Sequence, residues 1–261
     1  DGSDDTLVLS PFVVDASDGS VLWQAGPNPP GGTYNKTVST MTCAIPSDVT
    51  VIDIDREGHA DRGYVGDMCG NVWRIDISGA DPSAWGVYRI ATLSSTTSTD
   101  IANKRKFLFP PDVVFSKDTV GTYAAILLGS GDREHPFDTN VTDRFYMIKD
   151  RDALGGAFTS EAGCTVADVS GDPIDDSKLF DATSVAGNNT CGFKLTFAAG
   201  EKNIGSAVTL SSTTFFNTNQ PSSTAGGGSC SSNLGIARQY LIDFEDAAAP
   251  TALNQTGTLN L

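Results

Sequence analysis

The stretch VIDIDREGHADRG, residues 51–63, carries carboxylates at Asp53, Asp55, Glu57 and Asp61, with Gly58 inside the run. Counted from Asp53, the acids fall at positions 1, 3, 5 and 9 and the glycine at position 6. This is the first three quarters of a calcium loop of the helix-loop-helix type. There, side-chain oxygens come from positions 1, 3 and 5, a backbone carbonyl from position 7, and a tight turn at position 6 needs glycine. Calcium takes about six to eight oxygens, and converging carboxylates repel one another unless a cation neutralises them. The spacing therefore points to a calcium ion held by Asp53, Asp55, Glu57, the His59 carbonyl and Asp61; the competing reading is an acidic, solvated hairpin. Two departures stand out: position 12 is Tyr64 in place of a bidentate glutamate, so Asp61 must complete the shell, and Glu57 is one methylene longer than the usual residue at position 5. The His59 imidazole is expected at the surface.

Other chemistry is thinly supplied. His59 and His135 are the chain's two histidines. LGSGDREHP (128–136) puts Ser130 near His135 but lacks the GxSxG elbow, and it reads as a turn. There is no HExxH, no GxxxxGK[ST] and no dinucleotide fingerprint. A second acidic run, DVSGDPIDD (168–176), has Asp168, Ser170 and Asp172 at calcium-like spacing, yet Pro173 occupies the position of the glycine and argues for an ordinary loop.

Seventeen basic against thirty-two acidic side chains leave a net charge of -15, and Lys104, Arg105 and Lys106 form the one basic block. Such a surface repels nucleic acid and anionic lipid and favours divalent cations. No run approaches the roughly 18 to 20 apolar residues of a membrane span. The start, DGSDDTLVLS, lacks a basic and apolar signal region and reads as a processed or excised end. Five isolated cysteines, Cys43, Cys69, Cys164, Cys191 and Cys230, form no CxxC pair and suit an oxidising, extracytoplasmic setting.

The elements that must position the acidic loop recur along the chain. SDVTVID (47–53), GYVGD (63–67), NVWRIDIS (71–78) and WGVYRI (85–90) make one set of short strands. PDVVF (111–115), AAILLGSGD (124–132), RFYMIKD (144–150) and GFKLTF (192–197) make a second, and SAVTL (206–210), TFFNTN (214–219) and RQYLIDF (238–244) a third. FVVDASDGSVLWQ (12–24) supplies two strands of an earlier copy around an Asp18-Gly19 hairpin turn. In NVWRIDI, Trp73, Ile75 and Ile77 alternate with Arg74 and Asp76, as in a half-buried strand. Four-stranded units in series read as β-propeller blades with long loop insertions such as PSSTAGGGSCSSN (221–233), a sandwich being the other architecture considered. About three and a half blades fall short of the roughly four to eight that close a ring. The expected fold is therefore all-β, an incomplete ring, with residues 1–261 forming part of one propeller domain of a longer protein, or of one with connecting loops left out. Neighbouring strands predict a Cys43–Cys69 bridge, loop closure predicts Cys164–Cys191, and Cys230 is left unpaired.

AIPSDVTVIDIDREGHADRGYVGDMCGNVWRIDIS (44–78), KRKFLFPPDVV (104–114), LLGSGDREHPF (127–137) and DRFYMIKDR (143–151) together resemble the C-terminal propeller of the PilY family of type IV pilus tip-associated proteins. GFKLTFAAGEKN (192–203) and FFNTNQP (215–221) are similar more loosely, and the resemblance spans residues 8–246. It implies a non-enzymatic propeller at the cell surface or pilus tip, outer membrane-associated or secreted, acting in pilus biogenesis, twitching motility, adhesion and surface sensing. It also implies a calcium loop, on Asp53, Asp55, Glu57, His59 and Asp61, that sets the balance of pilus extension and retraction. The implied partners are pilins and minor pilins, the absent N-terminal part of the same protein and a host or abiotic surface. Some members display Arg-Gly-Asp; this chain has Asp61-Arg62-Gly63, another order, so integrin binding is not carried over. Two further readings remain: a secreted quinoprotein-like dehydrogenase, because FVVDASDGSVLW is similar to Trp-containing blades of that class, and a purely structural propeller without metal.

Overall fold

The computed structural model describes residues 10–29, 31, 35–152, 164, 173–221, 235–249 and 258–260. Short runs of β-branched and aromatic residues between turn formers become strands, as their composition dictates. The first sheet holds β1 (Phe12–Val14), β2 (Val21–Gly26) and β3 (Lys36–Thr37). Asp15 closes the β1–β2 hairpin by accepting from Gly19 N–H and donating its own N–H to Ser20. In the second sheet β4 (Thr50–Ile52), β5 (Arg62–Gly66), β6 (Asn71–Asp76) and β7 (Gly86–Thr92) are successive antiparallel neighbours. The third begins as β8 (Asp112–Lys117), β9 (Thr122–Gly129) and β10 (Arg144–Asp150). The chain then lays β11 (Ile174–Asp175) parallel to β7 of the second sheet, and β12 (Phe180–Asp181) parallel to β13 (Gly192–Thr196), which completes the third. In the fourth, β14 (Lys202–Asn203) and β15 (Val208–Leu210) both pair with β16 (Thr213–Gln220), followed by β17 (Ile236–Asp243) and β18 (Thr258–Asn260). None of the four sheets is closed. Among the described residues helix is confined to three-residue 3-10 turns at Pro82–Ala84 and Ile101–Asn103, and no helix is long and apolar enough to cross a membrane.

The strand sets read from the sequence thus become the strands of three or more residues, β18 excepted, with β1, β4 and β8 at sheet edges. The two-residue strands β3, β11, β12 and β14 escaped that reading because two residues show no alternation. Both expected disulfides form, Cys43–Cys69 with Cα atoms 5.8 Å apart and Cys164–Cys191 at 5.2 Å. Cys230, the run Asp168, Ser170, Asp172 and most of 221–233 lie outside the described residues.

The half-buried reading of β6 is corrected. The sheets stack in series, so inner sheets bury both faces. Trp73 and Ile75 pack with Trp23 and Ala25 of the first sheet, whereas Val72 packs with Ile126 and Tyr146 of the third. Alternation continues in β9, where Ala124, Ile126 and Leu128 face the second sheet and Tyr123, Ala125 and Leu127 face the Phe216 cluster of the fourth. Arg74, which the pattern placed toward solvent, is 5% exposed. It reaches Asp150 of β10 through Nη1 at 3.0 Å, and Tyr64 donates its hydroxyl to the same carboxylate at 2.8 Å. Burial and the adjacent Asp150 push the Tyr64 hydroxyl well above its ordinary range, keeping it a neutral donor.

A second buried carboxylate is left half-partnered. Ser130 donates to Asp143 Oδ1 at 2.8 Å, while Oδ2 has no partner. Burial pushes this carboxyl up to about 6, against the opposing effects of Ser130, Lys202 and Arg105. An unfolded aspartate titrates near pH 3.9, so between about pH 4 and 6 the native state binds more protons and this group's contribution to stability falls as pH rises. Asp143→Asn should therefore gain melting temperature relative to wild type as pH rises through that window, with no such gain at lower pH. Melting curves of both proteins across the range check it; a constant difference would show that the carboxyl titrates alike folded and unfolded.

Candidate metal centre

The acidic run is the connection between β4 and β5, whose register pairs Ile52 with Arg62. Asp61 closes it: its N–H donates to Ile52 at 2.8 Å and its carbonyl accepts from Ile77 at 2.9 Å. At 7% exposure Asp61 is the buried base of the loop, and its Oδ2 accepts from Ile54 N–H at 2.7 Å. Asp53 takes the Arg56 N–H at 2.6 Å on Oδ1 and the Gly58 N–H at 2.8 Å on Oδ2, and Asp55 takes the Glu57 N–H at 3.1 Å. The turn runs through a left-handed Arg56, φ 63°, and a Gly58 at φ 96°, the conformation for which position 6 needs glycine.

This folding gathers three of the expected side chains. One carboxylate oxygen each from Asp53, Asp55 and Asp61 lies within 4.8 Å of the others. Among the described residues no lysine or arginine forms an ion pair with any of the three. Burial raises the Asp53 carboxyl, but the N–H groups of Gly58, Arg56 and Glu57 more than offset it and hold it below the usual carboxylate range. Each bonded oxygen keeps a second lone pair, so the N–H contacts and a cation are compatible. The donor set is hard and anionic, as calcium requires.

Glu57 is not brought to the cluster. Its carboxylate lies 3.7 Å from His59 Nδ1, with the two side chains 56% and 82% exposed. The His59 imidazole thus points to solvent, as expected, and Tyr64 at position 12 is committed to Asp150. Beside the loop opens a cleft of about 780 Å³, walled by Glu57 and His59 on one side and by Ile77, Gly79 and Trp85 on the other.

Ser130 is fully buried and bonded to Asp143, so it does not face His135. The turn read at 128–136 does gather Asp132, Glu134 and His135 ligand atoms within 4.8 Å, a grouping the sequence reading missed although the D-x-E-H spacing is visible. Its charge is already paired, since Asp132 Oδ2 meets Lys106 Nζ at 2.8 Å and His135 Nδ1 at 3.0 Å.

No family model matches the chain. A type IV pilus biogenesis factor PilY1 homolog of Xylella fastidiosa (strain Temecula1 / ATCC 700964) is 41% identical over 39 residues, 15% of this chain and 3% of that protein. The crystal structure of the Pseudomonas aeruginosa PilY1 C-terminal domain superposes with a TM-score of 0.62 at 14% identity, over 93% of this chain and 54% of that one. The chain therefore spans about half of the solved domain. A 39-residue stretch of the chain is thus similar to a PilY1 homolog, and the chain shares the fold of about half of the solved PilY1 C-terminal domain.

Proposed function

We propose that the chain is a non-enzymatic, calcium-binding part of a β-propeller in a type IV pilus tip protein. In this reading it works outside the cytoplasm with pilins and the remainder of its own protein, supporting pilus extension and retraction, adhesion and surface sensing. The observation that carries it is the convergence of Asp53, Asp55 and Asp61 within 4.8 Å in a loop shaped by Gly58. Calcium would be held by these three, with the His59 carbonyl and water completing the shell and Glu57 swinging in from its exposed position. The propeller reading draws support from the serial stack of sheets and from the uncovered apolar residues of the outer two, Phe12 and Val21 in the first, Val208 and Leu210 in the fourth, where further blades would pack.

Calorimetric titration with calcium tests the proposal. A dissociation constant between about 10⁻⁷ and 10⁻³ M is expected, weakened strongly in Asp55→Ala and unchanged in His59→Ala, which keeps its carbonyl. In the whole protein, loop variants should alter pilus-dependent motility and leave export intact. Absence of heat at millimolar calcium would reduce the loop to a solvated hairpin.

A further inference from the structure

A second pocket, on the far side of the second sheet's core from the acidic loop, has the opposite chemistry. It opens where the β5–β6 turn meets the segment that follows β7, and it encloses about 420 Å³, within the usual range for small-ligand sites. In a chain of net charge -15, its described lining contains Arg89, Lys104, Arg105 and Lys106 and not one carboxylate. The lip is held by the Cys43–Cys69 bridge and by Met68 N–H donating to Ala44 at 3.0 Å.

The cations are not equally occupied. Lys106 is paired with Asp132, and Arg105 spends its guanidinium on the carbonyls of Thr142 and Leu93 and on Asn103 Oδ1. Lys104 reaches a neutral acceptor, the Ser95 carbonyl, at 2.7 Å. Arg89 has its guanidinium carbon 5.9 Å from the Trp73 ring centroid, and its Nε is buried without a hydrogen-bond partner. Thr40 Oγ1, also in the lining, is a second buried polar atom with no partner. A buried donor left unpaired is destabilising, and arginine stays charged at any ordinary pH. Nε and the neighbouring Nη of arginine form a fork that matches two oxygens of a carboxylate or phosphate.

We propose that this pocket is an oxyanion-binding site centred on Arg89 and Thr40, taking the carboxylate or phosphate group of a ligand. Arg89 supplies its guanidinium, the Thr40 hydroxyl a further donor, and Lys104 a second positive charge, part of which is felt by Asp100. The acidic remainder of the surface repels anions, so the site selects a ligand that presents its charge at this opening.

Calorimetry with inorganic phosphate, acetate and a short Asp- and Glu-rich peptide tests the site. At least one of these should bind, and Arg89→Gln should weaken it by about tenfold or more. Thr40→Val should weaken it less, and Lys117→Gln, a change to an exposed cation of β8 outside the pocket, should leave it unchanged. Tighter binding of the peptide than of acetate and phosphate would assign the group to an acidic chain; preference for phosphate would assign it to a small anion. Failure of all three probes to bind, or equal losses in Arg89→Gln and Lys117→Gln, overturns the proposal. Thr40→Val keeps the test decisive should Arg89→Gln fold poorly, because full affinity in that variant also counts against the site.

Discussion

Replacing Asp150 with alanine is expected to destabilise the chain by about 3–5 kcal/mol, the usual cost of removing one partner of a buried ion pair. Asp150 is fully buried at the end of β10 and joins the second and third sheets. Its Oδ1 accepts from Arg74 Nη1 at 3.0 Å and from Asp152 N–H at 3.1 Å, and Oδ2 accepts the Tyr64 hydroxyl at 2.8 Å. Alanine would leave a guanidinium and a phenol without their acceptor between two packed sheets. Asp76 retains part of the Arg74 charge, through Nε at 2.8 Å, which keeps the loss within that range. Asp150→Asn preserves volume and one acceptor and should cost less, and an apolar double replacement of Arg74 and Asp150 should be milder than either single truncation. Urea unfolding measures all of these. A loss below about 1 kcal/mol in Asp150→Ala, the range of an exposed pair, would mean that the pair does not join the sheets as described.

For Asp61→Ala the expected result is loss of the calcium-dependent rise in melting temperature. An ion that binds the native chain alone stabilises it by RT ln(1 + [L]/Kd), about 2.7 kcal/mol at a hundredfold excess over Kd. Asp61 is the buried member of the carboxylate group, and its Oδ2 also accepts the Ile54 N–H at 2.7 Å. Alanine therefore removes an anionic ligand and a loop hydrogen bond together, so the chelated protein should weaken as well, by about 1 kcal/mol. Asp61→Asn separates the two effects: it keeps an acceptor for Ile54 and gives up the charge. Melting in calcium and in chelator should show a shift for wild type, a much smaller one for Asp61→Asn and none for Asp61→Ala. Equal shifts in wild type and Asp61→Ala would place the ion elsewhere.

Local order was legible in the residues themselves. Val, Ile and aromatic runs between Gly, Asn and Asp turns located the longer strands, Asp18-Gly19 marked a hairpin, and neighbouring strands and loop closure paired Cys43 with Cys69 and Cys164 with Cys191. The acidic loop was legible for the same reason: ligand spacing and a glycine that must turn at φ 96° are properties of nine consecutive residues. What depends on a neighbouring sheet was not. Period-2 alternation reports that the two faces of β6 differ, but only the stacking of a third sheet decided that Arg74 is buried and paired rather than solvated. The tertiary fold likewise decided that Arg89, Thr40 and Lys104, far apart in the chain, line one pocket. A sequence pattern encodes which side a residue faces; what waits on that side is set by long-range packing.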